Sequence, residues 1–96
     1  MAKYGVGIIG ARWVSGEHIN SFLANPLTEV RGIASRTREG AEQKVRQMGL
    51  EGQVKVYDSV DALIASDDID ILSICSPANV HVEQIIKGAE AGKAMV

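Results

Sequence analysis

Cysteine is nearly absent from this chain. Cys75 is the single one among 96 residues, so neither a disulfide framework nor a cysteine zinc site can form within one copy. That usage fits a reducing compartment, and a cytoplasmic location is expected. Aromatic residues make up only 4% of the chain, which leaves aliphatic side chains to fill the core. Basic charge is not in excess either. Ten Lys and Arg against twelve Asp and Glu give a net charge of −2, which argues against a nucleic-acid partner. No run approaches the roughly eighteen apolar residues of a membrane span, so no membrane partner is expected. The opening Met1-Ala2-Lys3-Tyr4 and the apolar stretch to Ala11 have the outline of a leader. Glycines break that stretch, Arg12 ends it and no small-residue cleavage site follows, so a secretory signal is not expected. A chain of 96 residues holds one core and excludes a self-contained large enzyme. Any enzyme motif it carries is expected to belong to a piece of a larger catalyst.

What is present is a hydrophobic period that switches between strand and helix. Tyr4 to Ile9 reads as a buried strand ending at Gly10. Ile19, Phe22 and Leu23 then share one helical face, with Ser15 as the expected N-cap and Asn25-Pro26 as the stop. Glu29 to Ala34 is a second strand. Thr37 caps a second helix whose inner face is Ala41, Val45 and Met48, with Gly49 as its terminator. Val54 to Tyr57 is a brief third strand, and Ser59 caps a short helix carrying Val60, Leu63 and Ile64. Ile69 to Cys75 is the strongest strand. After Pro77 a fourth helix shows Val82, Ile85, Ile86 and Ala89 as its expected inner face, with Gly88 a weak spot and Gly92 the terminator. Ala94-Met95-Val96 begins a further strand. Strands alternating with helices predict an α/β fold, a single doubly wound domain over residues 1–96 with a mostly parallel, Rossmann-like sheet.

Two glycine patterns compete at the first turn. Gly5-Val6-Gly7-Ile8-Ile9-Gly10 matches the dinucleotide fingerprint G-x-G-x-x-G letter for letter. That chemistry needs its glycines between strand and helix, where helix N-terminal amides face a pyrophosphate, and Gly5 and Gly7 fall inside the strand. The turn itself is Gly10-Ala11-Arg12-Trp13-Val14-Ser15-Gly16. In this frame Gly10 allows the tight bend, Ser15 is small enough for helix to pack on strand, and Arg12 stands where a second glycine is usual. Arg12 can pair with a phosphate, crowd the pyrophosphate, or point to solvent. Trp13 is expected to pack over the loop or against a missing partner rather than stack on a cofactor.

An acidic residue about twenty positions beyond the first glycine holds the ribose in many dinucleotide folds, and counting from Gly10 lands on Glu29. Glu29, however, opens the second strand, whereas ligands bind outside the carboxyl ends of strands. That end is Ser35-Arg36, followed by Thr37 and Arg38. An uncharged residue followed by arginine suits a 2′-phosphate better than a free hydroxyl, which favours NADP over NAD. The plainer reading is that Arg36 and Arg38 are a solvated face at a helix start.

The fourth strand exits into Cys75-Ser76-Pro77-Ala78-Asn79-Val80-His81, an uncommon Pro-x-x-x-His run. Together with Val6 to Gly10, Ser35-Arg36, Val56 to Ser59, Asp70 to Ile74 and Ala91-Gly92-Lys93, it resembles the Gfo/Idh/MocA family of NAD(P)-dependent oxidoreductases over essentially the whole chain. The resemblance implies that Gly10, Ala11, Arg12, Trp13 and Val14 line the pyrophosphate of a dinucleotide partner. It implies contacts from Ser35 and Arg36 to the adenosine ribose or its phosphate. Cys75, Ser76 and Pro77 would lie along the middle of the cofactor, and Asn79 and His81 towards the nicotinamide. Apart from the resemblance, His81 reads as a capping or surface residue, Cys75 as a buried small hydrophobe and His18 as a plain helix residue.

Members of that family continue from the fifth strand into a Glu-Lys-Pro segment, whose lysine assists proton transfer, and then into a second domain that forms the substrate site. Lys93 belongs to the helix exit and does not match that lysine. The expectation is therefore a truncated cofactor-binding half that catalyses nothing alone. Its parent reaction would pass a hydride between nicotinamide and a hydroxyl-bearing carbon of a sugar, polyol or related small molecule. The rival is a non-enzymatic nucleotide-binding or interaction module on the same scaffold. The open edge left by the last strand also allows pairing between copies, a homo-oligomer.

Overall fold

The computed structural model describes residues 3–11, 13–76 and 78–96, with the side chains of residues 13, 14, 78 and 79 outside that description. Strands β1 (Tyr4–Ile9), β2 (Thr28–Ala34), β3 (Lys55–Val56), β4 (Ile71–Ile74) and β5 (Ala94–Met95) alternate with helices α1 (Trp13–Ala24), α2 (Arg38–Gln47), α3 (Val60–Ala65) and α4 (Ala78–Glu90). The strands form one sheet in the order β3-β2-β1-β4-β5. Every pairing in it is parallel. β1 lies at the centre, and chain order reverses beside it: β2 and β3 run off to one side, β4 and β5 to the other.

Alternation along the strands feeds two cores. Val6, Ile8 and Val30 pack with Ile19 of α1 and with Ala41 and Val45 of α2 on one face. Ile9, Ala34 and Leu72 pack with Tyr57 and with Leu63 and Ile64 of α3 on the other. α4 joins the second face, where Gly88 lies so close to Leu72 and Met95 that a Cβ would come within 2.8 Å of the Leu72 side chain.

Caps at the helix starts are local and form as read. Thr37 accepts from the Gly40 N–H at 3.1 Å and Ser59 from the Ala62 N–H at 3.0 Å. Gly49 and Gly92 end their helices at φ of +68° and +76°. Other expectations are corrected. α1 already begins at Trp13, so Ser15 is not its N-cap but a fully buried residue of its first turn. Leu23 is 46% exposed, because the α1 face that meets the sheet is centred on Ile19. Val82, Ile85 and Ile86 of α4 are exposed rather than inward, since the helix turns Gly88 to the sheet. β4 is shorter than the apolar run Ile69–Cys75, whose two ends remain buried without being paired as strand.

Candidate dinucleotide site

The carboxyl ends of β1, β2 and β4 meet at Gly10. Its N–H donates to Ala34 O at 2.8 Å, and the Cys75 N–H donates to Ile9 O at 2.8 Å, so the three strand ends are locked to one another. Gly10 has φ of +108°, and a Cβ there would lie 3.0 Å from the Cys75 carbonyl group. Both backbone conformation and space therefore demand glycine at this turn. Gly5 and Gly7, by contrast, lie within β1 at the opposite end or in mid-strand. A Cβ on Gly5 would come 2.1 Å from the Asp68 carbonyl oxygen, and one on Gly7 would meet Ile69 and Leu63 at 3.0–3.1 Å. These two glycines serve packing, so the letter-for-letter fingerprint does not mark the phosphate turn.

Above Gly10 opens a cleft of about 450 Å³. Its wall is built by Ile9, Gly10 and Ala11 from the first turn, by Ser35, Arg36, Thr37 and Gly40 from the second, and by Cys75, Ser76, Val80 and Gln84 from the fourth, with Val60 of α3 adding apolar surface. Six of the residues named from the sequence, Gly10, Ala11, Ser35, Arg36, Cys75 and Ser76, are thus brought to one place. His81 is not in the lining; its Nε2 faces the Ser76 carbonyl. Arg12 and Pro77, and the side chains of Trp13, Val14 and Asn79, lie outside the described residues.

Charge distribution gives the cleft its character. Arg36 is the one charged side chain in the described lining, and no carboxylate faces it there. Lys44 lies beside it, in an adjoining pocket that shares Ala11 and Gly40, while Arg38, Arg31 and Lys93 are engaged elsewhere. Arg38 bonds Glu42 at 2.9 Å and also Asp58, and these hydrogen bonds hold its guanidinium above the ordinary arginine pKa. Arg31 is committed to Glu29 at 2.9 Å, at the amino end of β2, so Glu29 is remote from the cleft in role as well as in position. Lys93 donates to the Ser66 and Ile69 carbonyls at 2.6 and 2.5 Å, below β4 and away from the site. Ser35 Oγ donates to Thr37 O at 2.5 Å, closing the turn that presents Arg36. Burial pushes the Cys75 thiol pKa up, against a lowering from its hydrogen bond with Ser73, so the group under the turn is a neutral thiol at neutral pH.

Several contributors were not singled out from the sequence. Gly40 sits in the first turn of α2 and leaves room above Ser35, and a glycine three residues after a capping threonine was the available signal. Val60, Val80 and Gln84 carried no signal of their own; Gln84 is placed by accepting from the Ser76 hydroxyl. His18 is not a plain helix residue, because its Nδ1 stands 2.8 Å from Ser73 Oγ across the α1–β4 interface.

A parallel sheet of this strand order, with a glycine turn leading from the central strand into α1 and a cleft where chain order reverses, defines a Rossmann-type dinucleotide-binding domain. Gly10 leaves the space a phosphate needs and Arg36 supplies a cation, so the residues present fit such a ligand. Residues 4–96 match the family described as the oxidoreductase family with an NAD-binding Rossmann fold, and the chain belongs to that family. It is 34% identical over 89 residues to a dTDP-3,4-didehydro-2,6-dideoxy-alpha-D-glucose 3-reductase of Actinomadura kijaniata, covering 92% of this chain and 26% of the relative. Among solved structures, a myo-inositol dehydrogenase from Lactobacillus casei in complex with NAD(H) and myo-inositol superposes with a TM-score of 0.88 at 26% identity, over 98% of this chain and 27% of that one. A 3-ketoreductase from Actinomadura kijaniata in complex with NADP superposes with a TM-score of 0.87 at 30% identity, over 99% and 28%. The chain spans about a quarter of the length of the curated relatives it matches. No helix among the described residues is long and apolar enough to cross a membrane.

Proposed function

We propose that this domain binds NADP in preference to NAD across the ends of β1, β2 and β4. The observation that carries the preference is Arg36, an exposed guanidinium in the cleft wall with no carboxylate beside it among the described lining residues. A ribose diol is served by an acidic acceptor, whereas a 2′-phosphate is served by an uncommitted arginine. The Gly10 turn would hold the pyrophosphate, and Ser35 with the α2 N-terminus would sit against the adenosine end. Fluorescence titration tests this with NADPH and NADH on the wild type and on Arg36→Ala. NADPH should bind the wild type more tightly, and the substitution should weaken NADPH by about tenfold or more while changing NADH little. Equal affinity for both nucleotides in the wild type would remove the NADP preference. Binding of neither by the folded chain would favour the non-enzymatic module instead.

In the parent reaction we place this domain as the cofactor half of an oxidoreductase acting on a hydroxyl-bearing carbon of a sugar, polyol or related small molecule. The relatives that carry such names support that class. A bound nicotinamide supplies the hydride chemistry; the chain's own residues bind and orient it. The 96 residues alone are expected to turn over nothing. The described cleft wall holds a thiol kept neutral and an arginine, neither of which can take a proton from a substrate hydroxyl near neutral pH.

We also propose a cytoplasmic location, and pairing of the isolated chain with a second copy. Val82, Ile85 and Ile86 expose an apolar stripe on α4 beside the free edge of β5. A two-fold axis normal to the sheet would pair the two β5 strands antiparallel and bring both α4 stripes together on the same face.

A further inference from the structure

α1 and β4 are joined by side chains that the cleft lining does not account for. His18 Nδ1 lies 2.8 Å from Ser73 Oγ, and that hydroxyl lies 3.6 Å from Cys75 Sγ. Ser73 is fully buried, and Cys75 lines the cleft. A hydroxyl in the middle of a buried strand costs free energy unless it is bonded, and an aliphatic residue would fill the same space without that cost. Apolar contact between a helix and a sheet is non-directional, whereas a hydrogen bond fixes one distance and one angle. Ser73 is paired with Ile8 in the sheet, two residues before Gly10, and Cys75 is bonded to Ile9 through its own backbone. The tie therefore lies directly beneath the turn from which α1 departs.

We infer that His18 and Ser73 are positioning residues for the dinucleotide. Their hydrogen bond sets how far the first turn of α1 stands from the end of β4, the gap that a pyrophosphate must bridge. Neither side chain lines the cleft, and both act through the backbone of that turn and through Cys75. The inference rests on the dinucleotide reading of the cleft.

Calorimetric titration with two ligands separates positioning from general stability. NADP would span the whole cleft, whereas adenosine 2′-monophosphate, which has no 5′-phosphate to meet the Gly10 turn, would reach only the β2 side with Ser35 and Arg36. His18→Ala and Ser73→Ala should each weaken NADP by about tenfold, the loss of one part-buried hydrogen bond, and leave the monophosphate within about twofold. His18→Asn, whose amide can replace Nδ1, and Ser73→Thr, which keeps the hydroxyl, should return NADP to within about threefold of wild type. Should His18→Ala fail to fold, the Ser73→Ala and Ser73→Thr pair makes the same comparison. Equal weakening of both ligands, or no change in either, overturns the inference while leaving the cofactor reading in place. A wild-type chain that binds neither ligand overturns both.

Discussion

Gly10 shows how much can hang on one position. Its φ of +108° and the Cys75 backbone 3.0 Å from a would-be Cβ mean that a side chain is opposed twice, by backbone strain and by contact. Gly10→Val is expected to lower unfolding free energy by about 1–3 kcal/mol in urea titration, together with loss of nucleotide binding. An unchanged urea midpoint would contradict that account. Gly5 and Gly7 are equally constrained but by packing alone, and a string of letters cannot tell the two uses apart. Placing glycines on strand or turn can, and that much was readable. Cys75 yields a pH prediction. Its thiol is raised by burial in the folded chain, so the unfolded chain releases the proton first as pH rises. The stability linked to it is fully present below the ordinary thiol value of about 8.5 and is lost as pH climbs through the folded value. Urea midpoints should thus fall in the alkaline range for wild type and fall less for Cys75→Ala. Parallel profiles would show that Cys75 is not the group responsible.

Elements were legible where their signals are local. Thr37 and Ser59 act as caps and Gly49 and Gly92 as stops because a cap or a left-handed residue depends only on the adjoining turn. The facing of α4 was not legible. Periodicity identifies Val82, Ile85 and Ile86 as neighbours on one side, but not which way that side looks. In the fold, Lys87 of α4 pairs with Asp61 of α3 at 3.0 Å and Gly88 seats the helix on Leu72, which rotates the apolar stripe outward. This stripe is the surface we propose for pairing between copies. Sedimentation velocity of the wild type should show reversible dimerisation in the micromolar range, the weak end expected of a small interface. Ile85→Glu should sediment as a monomer with unchanged unfolding behaviour. A wild-type monomer at every concentration would contradict pairing through α4. The His18–Ser73 bond was invisible for a different reason: it joins residues 55 positions apart on two elements, and neither has a partner until the sheet forms.

For the molecule as a whole, the alternation of strand and helix predicted the doubly wound sheet, and the wholly parallel order β3-β2-β1-β4-β5 follows from right-handed crossovers on both sides of β1. That topology explains why residues as distant as Gly10, Arg36 and Cys75 converge: each follows the carboxyl end of a strand, and those ends lie side by side. The central claim is that this convergence is a dinucleotide site. Amide chemical-shift mapping during titration with NADP tests it most directly. The account predicts shifts concentrated at Gly10, Ala11, Ser35, Arg36, Gly40, Cys75 and Ser76, with little change at Glu29, Asp68 or Lys93 at the opposite end of the sheet. Shifts confined to that opposite end, or none at saturating nucleotide in the folded chain, would contradict it.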